Sequence, residues 1–516
     1  MAQRIPSFVS AARSVVAATS PPSRIYCSAS PSLFFPSGFC AATVGKSCSA
    51  GARFFSSKRP AQVASVLLRQ RQYVADHSLP SLSIVSGLSG SIAWRGNPPA
   101  RGVATTVTPD AASPISNTTA TTAPQPSTTS SNHHDANSNP GEEQTVSKPI
   151  VGYWYLFCGS LVFGIVALGG FTRLTESGLS IVEWNLIKGM KPPRTQEEWE
   201  EEFEKYKQFP EFKLMNHRMT LPEFKFIFYM EWAHRMVGRF IGLSFIIPGA
   251  YFAYKGYMSK TIRNRSLLVA TLIGAQGLLG WLMVRSGLSP ELMETAHAVP
   301  RVSHYWLTAH LGSAFTIYSI MLVTGLDILR ANRVKASVAV ENSVKAALAT
   351  VDVRRFAKYS RAVAGLVFLT ALSGGLVAGL DAGLIYNEFP QMGEGLVPSD
   401  MWAYSTQTDR NPNPLPWWRN LLENPAAVQF NHRVMAMTTA TTILTLFLAS
   451  RRFTLPRTPR LATNALLAMV GVQATLGICT LLYFVPTPLA AAHQSGSLTL
   501  LSVALWLMQS LRYVRR

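Results

Sequence analysis

Apolar residues fill most of the chain from about residue 151 onward, where they form eight long runs. Crossing about 30 Å of hydrocarbon takes about 20 apolar residues in a helix, so each run is long enough to span a membrane. Because an isolated strand cannot satisfy its backbone hydrogen bonds in lipid, each run is predicted as a helix. The runs cover approximately 151–172, 224–254, 266–286, 304–329, 359–380, 427–450, 462–485 and 488–511. This pattern predicts an all-α membrane protein with eight transmembrane helices.

The polar and glycine positions inside these runs occur twice, in the same order. Three pairs of segments show the repeat: 169–170 with 374–375, 231–235 with 429–433, and 275–280 with 472–477. Each half contains four runs, and an even number of crossings gives both halves the same orientation. We therefore predict two pseudo-symmetric four-helix bundles, an N-terminal half over 149–335 and a C-terminal half over 336–516, related by an axis along the membrane normal.

The residues before the first run have a different composition. Residues 1–75 contain no Asp or Glu and are rich in Arg and Ser, which is typical of an organelle transit peptide. We predict a mitochondrial transit peptide over 1–60, with a chloroplast transit peptide or a disordered basic tail as the alternatives. Residues 61–148 include a tract of Thr, Ser, Pro and Asn that cannot bury enough apolar surface to fold, so they are predicted as a disordered low-complexity linker.

Charge is scarce and unevenly placed. Charged residues make up 14% of the chain, against roughly 25% in soluble proteins. The net charge of +20 is concentrated in the leader and in short loops such as 255–265 and 451–460, which contain basic residues and no acid. Basic loops mark the inner side of a membrane, so we predict a multi-pass protein of the mitochondrial inner membrane with both termini in the matrix. The transit peptide and the membrane topology account for the positive charge without a nucleic-acid partner. We expect the lipid bilayer to surround the protein.

Four of the ten histidines lie inside the apolar runs, one on each even-numbered run: His234, His310, His432 and His493. Each lies about six to ten residues from the acidic side, so at 1.5 Å per residue they share a similar depth. Neutral imidazoles from two facing helices suit the axial positions of a haem iron. The sequence therefore predicts two iron-binding pairs, one in each half. An interhelical hydrogen bond is the alternative for any single histidine.

An acidic residue in the second apolar run distinguishes the two halves. Glu231 lies three residues before the histidine of its run and so on the same helix face. Its counterpart in the second half is Gln429 or Val428, depending on the alignment, and neither is acidic. A carboxylate at this position could transfer a proton or stabilise developing positive charge. The alternative is an ion pair with Arg235 or Arg239.

The chain resembles the haem A synthase family, mitochondrial type. The segments that carry the resemblance are GGFTRLTESGLS at 169–180, EFKFIFYMEWAHR at 223–235 and FNHR at 430–433, and the likeness extends over 151–510. It implies an oxidoreductase that converts the C8 methyl group of haem O to the formyl group of haem A, for cytochrome c oxidase assembly. Some bacterial members carry a cysteine pair in the first external loop, whereas residues 173–223 contain none.

The resemblance also implies the roles of individual residues. It makes His432 and His493 the ligands of a haem b cofactor, His234 and His310 the ligands of the substrate haem O, and Glu231 the catalytic acid. Ferredoxin and its reductase are the implied electron-transfer partners. Haem O synthase and a second copy of the chain are further candidate partners.

Three other functions stay open at this stage. A membrane cytochrome b that only transfers electrons would need the four histidines but not Glu231. A transporter with internal repeats would show broken helices near the middle of the membrane, whereas the polar residues of this chain lie near one face. A haem exporter or chaperone would bind haem and release it without oxidising it.

Overall fold

The computed structural model describes residues 146–185, 191–290, 299–336, 342, 346, 349–408, 411 and 413–512. The predicted transit peptide, 1–60, and nearly all of the predicted linker, 61–148, lie outside these residues. Within the described part of the chain the regular elements are helices, which confirms the all-α class. The α-helices are α1 (Pro149–Leu174), α2 (Gln196–Lys207), α3 (Pro210–Leu214), α4 (Leu221–Tyr254), α5 (Lys260–Gly287), α6 (His304–Ala336), α7 (Val351–Gly379), α8 (Trp417–Glu423), α9 (Pro425–Ser450), α10 (Arg457–Leu482) and α11 (Thr487–Ser510).

Seven of the described helices are long and apolar enough to cross a membrane: α1, α4, α5, α6, α7, α9 and α10. They coincide with the first seven predicted runs. The eighth run forms α11, a helix of 24 residues whose His, Gln, Ser and Thr side chains make it less apolar than the other seven. The crossing of the membrane by α11 therefore stays a prediction.

In each half, the four long helices contact one another in a closed ring. In the first half, α1 and α5 each pack against both α4 and α6. In the second half, α7 and α10 each pack against both α9 and α11. The two sets meet where α6 packs against α7, and where α11 packs against α1 and α6. As a result, the two histidine-bearing helices of each half lie at opposite corners of a ring of four.

The first helix of each half ends in the same way. Both α1 and α7 are followed within two residues by an acidic residue in the left-handed region, Glu176 with φ 51° and Asp381 with φ 50°. This conformation is uncommon outside glycine, so the repeat in the sequence corresponds to a repeated turn. Asp381 also forms ion pairs with Arg173 at 2.7 Å and with Arg301 at 2.9 Å, and these ion pairs join the two halves.

The loop after α1 folds over the start of α4. Helices α2 and α3 pack there through a buried aromatic cluster that includes Trp199, Phe203, Tyr206, Phe224 and Phe228. Most glutamates of α2 lie on its opposite, exposed face. This arrangement covers the end of the first half with an apolar contact and presents acidic side chains outward.

Candidate functional site

The histidine pair of the second half lies between helices α9 and α11. The ring centroids of His432 and His493 are 6.5 Å apart, with the ring planes at 88° to each other. Because a bond from a metal ion to an imidazole nitrogen is about 2 Å, a separation of 6.5 Å fits one metal ion held between the two rings. The geometry therefore suits a pair of axial ligands.

The histidine pair of the first half occupies the equivalent corners. His234 is on α4 and His310 is on α6. A glutamine of the neighbouring helix supports the second histidine of each half in the same way. Gln276 donates to the backbone carbonyl of His310 at 2.9 Å, and Gln473 donates to that of His493 at 2.9 Å. The repeat thus extends to the hydrogen bonds around the site.

Each of the four imidazole rings lies against a glycine of an adjacent helix. A Cβ atom added at that glycine would lie between 2.7 and 3.2 Å from the ring. The contacts pair Gly169 with His234, Gly280 with His310, Gly374 with His432, and Gly477 with His493. A side chain at any of the four glycines would therefore displace an imidazole.

Glu231 is buried, with 3% of its surface exposed, and each of its carboxylate oxygens accepts two hydrogen bonds. Oε1 accepts from Nη2 of Arg235 at 2.6 Å and from Nε at 3.0 Å. Oε2 accepts from Oγ of Ser180 at 2.8 Å and from the backbone N–H of Ile181 at 2.9 Å. Of the two arginines considered from the sequence, Arg235 is therefore the one paired with Glu231. Four donors fix the position of the carboxylate.

The second half lacks this ion pair but keeps the contact with its loop. Gln429 and Arg433 both donate to the backbone carbonyl of Tyr386, at 2.9 and 3.0 Å. Arg235 likewise donates to the carbonyl of Ile181, at 2.8 Å. In both halves the arginine after the histidine binds the loop that follows the first helix. Gln429 thus occupies the place of Glu231, which decides the alignment left open by the sequence.

A cavity of about 340 Å³ lies beside the Glu231–Arg235 pair. Two arginines that line it are stacked on tryptophans: the guanidinium of Arg235 lies 5.0 Å from the Trp184 ring, and that of Arg285 lies 5.4 Å from the Trp281 ring. Cations of this kind bind carboxylates. The repeat places Ile478 and Leu482 at the positions of Trp281 and Arg285, so the sequence provides these two side chains only in the first half.

Comparison with known proteins identifies the family. Residues 152–505 match the model of the cytochrome oxidase assembly protein family. The chain is 52% identical over 376 residues to the heme A synthase COX15 of Bos taurus, covering 72% of this chain and 85% of that protein. It is 45% identical over 386 residues to heme A synthase COX15 of Saccharomyces cerevisiae, covering 74% and 79%.

The chain belongs to the haem A synthase family. A third relative, from Schizosaccharomyces pombe, is named a heme A synthase–mitochondrial ferredoxin fusion protein. It is 43% identical over 377 residues, covering 72% of this chain and 61% of the fusion. The resemblance inferred from the three sequence segments is thereby confirmed.

For this member of the haem A synthase family, the sequence predicts the four histidines and Glu231 as site residues but not the residues that contact them. The paired glycine motifs were visible as a repeat, yet their contact with the imidazoles depends on helix packing. Ser180 was part of a recognised segment, but its bond to Glu231 spans 51 positions. Among the described residues, no group of three or more His, Cys, Asp or Glu forms a metal site.

Proposed function

We propose that the chain is a haem A synthase that oxidises the C8 methyl group of haem O to a formyl group, supplying haem A for cytochrome c oxidase assembly. The observation that carries the proposal is the extent of the match, 52% identity over 376 residues to a protein of that name. The repeated placement of four histidines in the helix rings supports it.

The architecture we infer is eight transmembrane helices in two pseudo-symmetric four-helix bundles. The closed order of helix contacts in each half supports this arrangement. Helix α11 packs against α1, α6, α7 and α10, and a helix so surrounded by protein tolerates more polar side chains than one that faces lipid. We infer that the membrane is the mitochondrial inner membrane and that the basic loops 255–265 and 451–460 lie on its matrix side.

His432 and His493 are the proposed ligands of a haem b cofactor, and their 6.5 Å centroid separation fits that role. His234 and His310 are the proposed ligands of the substrate haem O. A bound haem b supplies one-electron chemistry at its iron. The protein's own contribution is to orient both groups: helices at opposite corners present the imidazoles, and glycines beside them leave room for the rings.

Glu231 is the proposed catalytic residue of the first half. It is the buried carboxylate one helical turn from His234, and the second half has an amide at that place. Since each oxygen already accepts two hydrogen bonds, the carboxylate is suited to act as a fixed negative charge. A fixed charge stabilises positive charge that develops on the substrate without reorganisation during the reaction. Accepting a proton would require one of its four donors to leave.

The cavity beside this pair is the proposed position of the substrate's carboxylates. Arg285 is exposed and stacked on Trp281, so its donors face an accessible volume. A planar guanidinium binds a carboxylate through two parallel hydrogen bonds. The absence of this pair from the equivalent sequence positions of the second half, Ile478 and Leu482, favours assigning the exchanging haem to the first half.

The electron-transfer partners we propose are a ferredoxin and its reductase. The support is the S. pombe relative, whose name describes haem A synthase and mitochondrial ferredoxin in one polypeptide. Haem O synthase and a second copy of this chain are further proposed partners, carried only by the family resemblance.

The test is production of haem A in mitochondria that make haem O and lack their own haem A synthase. The full chain is expressed there, and extracted haems are separated by chromatography. We expect haem A with the wild-type chain and none with Glu231→Gln, while haem b stays bound in both. Haem b binding without any alcohol or aldehyde product, in the presence of a working reductase, would instead indicate an electron-transfer cytochrome or a haem-handling protein.

A further inference from the structure

We propose that Ser373 is the positioning residue that keeps the cofactor haem in the second half, by fixing His432 as an iron ligand, and that Leu168 at the equivalent place in the first half lets the substrate haem exchange. This inference rests on the proposed function, since it takes His432 and His493 as cofactor ligands and His234 and His310 as substrate ligands. It adds a physical reason why one haem stays and the other leaves.

The hydrogen bonds of Ser373 determine which nitrogen of His432 carries the proton. Its Oγ lies 2.7 Å from the backbone carbonyl of Thr370 and 2.7 Å from Nδ1 of His432. A serine hydroxyl has one proton, and a carbonyl oxygen can only accept. The hydroxyl therefore donates to Thr370, and its oxygen accepts the hydrogen bond from Nδ1–H of His432.

A proton on Nδ1 leaves the lone pair on Nε2 free for a metal ion. A hydrogen bond from the other ring nitrogen also fixes the orientation of the imidazole and raises its basicity as a ligand. The partner ring is contacted by a neighbouring side chain as well, because the Gln473 amide nitrogen lies 3.1 Å from Nδ1 of His493. An amide nitrogen can only donate, so a proton on Nδ1 is assigned to His432 alone. Both rings of the second half are thus held by side chains of neighbouring helices, at a separation of 6.5 Å.

The first half uses the same scaffold with fewer restraints. The residue before its glycine pair is Leu168, where the second half has Ser373, and a leucine side chain can neither donate nor accept. Within the described part of the chain, Nδ1 of His310 is buried and has no hydrogen-bond partner. The side-chain amide of Gln276 donates to the backbone carbonyl of that residue. The substrate-side imidazoles are therefore less firmly oriented, which suits a haem that must leave once it has been oxidised.

The experiment compares haem retention in the full-length protein purified from membranes. Ser373→Ala removes the acceptor, Ser373→Thr restores it, and Leu168→Ser introduces a hydroxyl in the first half. Transfer of haem b to an excess of a haem-scavenging apoprotein gives the dissociation rate, and the midpoint potential of the bound haem gives a second readout. Removing an outer hydrogen-bond partner typically weakens metal binding by roughly 10–100-fold.

We expect Ser373→Ala to release haem b roughly tenfold faster or more, with a raised midpoint potential because the ligand is less basic. Ser373→Thr should behave as wild type, which separates loss of the hydrogen bond from misfolding. Leu168→Ser should slow the release of haem O and leave haem b unchanged. Equal haem b dissociation rates and midpoint potentials for wild type and Ser373→Ala would overturn the proposal. A Leu168→Ser variant that changes haem b retention, while Ser373→Ala does not, would overturn it as well.

Haem A is measured in the same membranes, so the two proposals fail separately. Wild-type membranes without haem A, combined with faster haem b loss from Ser373→Ala, would refute the synthase activity and keep the role of Ser373. Wild-type membranes with haem A and an unaffected Ser373→Ala would refute only the role of Ser373.

Discussion

Substituting Gly477 by alanine tests the contact between the glycines and the imidazoles most directly. The added Cβ would lie 2.7 Å from Cε1 of His493, 3.3 Å from Nδ1 and 3.4 Å from Nε2. Carbon atoms in contact prefer about 3.5–4.0 Å, so the ring must move by about 1 Å. Overpacking of this kind costs about 1–3 kcal/mol, offset by up to about 1 kcal/mol from the better helix propensity of alanine. We therefore expect a modest loss of stability and a large loss of haem b.

The matched control is Gly471→Ala on the same helix, where nothing lies within 4 Å of an added Cβ. Each full-length variant is purified from membranes, and haem b per polypeptide and the unfolding temperature in detergent are measured. Gly471→Ala should keep its haem and be as stable as wild type or slightly more so. Full haem b content in Gly477→Ala, equal to that of the control, would refute the argument that the glycine makes room for the ligand.

Three further changes test other parts of the molecule. Glu231→Gln removes a fixed charge beside the substrate, so haem A formation should fall at least about 100-fold while haem b content stays, and unchanged haem A would contradict its catalytic role. Arg285→Leu should raise the haem O concentration for half-maximal activity about tenfold, and an unchanged value would place the carboxylates elsewhere. At Glu423, burial raises the pKa, but hydrogen bonds from Arg419 and Tyr305 outweigh it and hold the pKa below its usual value. Because this pKa is lower in the folded protein, ionised Glu423 stabilises the fold at pH values above its unfolded-state pKa of about 4.3. That stability is lost as the pH falls through the folded-state pKa. Unfolding temperatures between pH 3 and 6 should therefore decline more steeply for wild type than for Glu423→Gln, and parallel curves would contradict this.

The helices were predictable because the membrane imposes a simple length and composition rule. Seven runs meet it in the structure, and the eighth, α11, is helical but less apolar. A helix surrounded by other helices need not be apolar on all sides, so hydropathy alone identifies it less well. Grouping the helices into two halves of four depended on the internal repeat, because composition does not specify which helices are neighbours.

Only those features of the candidate site that follow from residue type and helical periodicity could be predicted from the sequence. His234 and Glu231 are three positions apart on one helix, so their shared face follows from helix geometry. The bond from Ser180 to Glu231 and the contact between Gly477 and His493 join separate elements. These depend on how the chain packs. The repeat nevertheless marked segments that the structure brings together, because the repeated glycines lie against the repeated histidines.

The differences between the halves carry more functional information than their similarities. The shared histidines, glycines and glutamines give each half a pair of imidazoles in equivalent surroundings. In the first half the changes add charge, with Glu231 in place of Gln429 and Arg285 in place of Leu482. In the second half, Ser373 stands where the first half has Leu168, and its hydroxyl contacts Nδ1 of His432 and orients that ring.

Charge beside a haem assists its chemistry and recognises its carboxylates, whereas a hydrogen bond to the ligand fixes the haem in place. We therefore propose that the duplicated bundle divides one task in two, with one half holding a permanent haem and the other transforming a haem that exchanges. Exchanging these side chains between the halves should shift retention and reactivity together, because both follow from the same few positions.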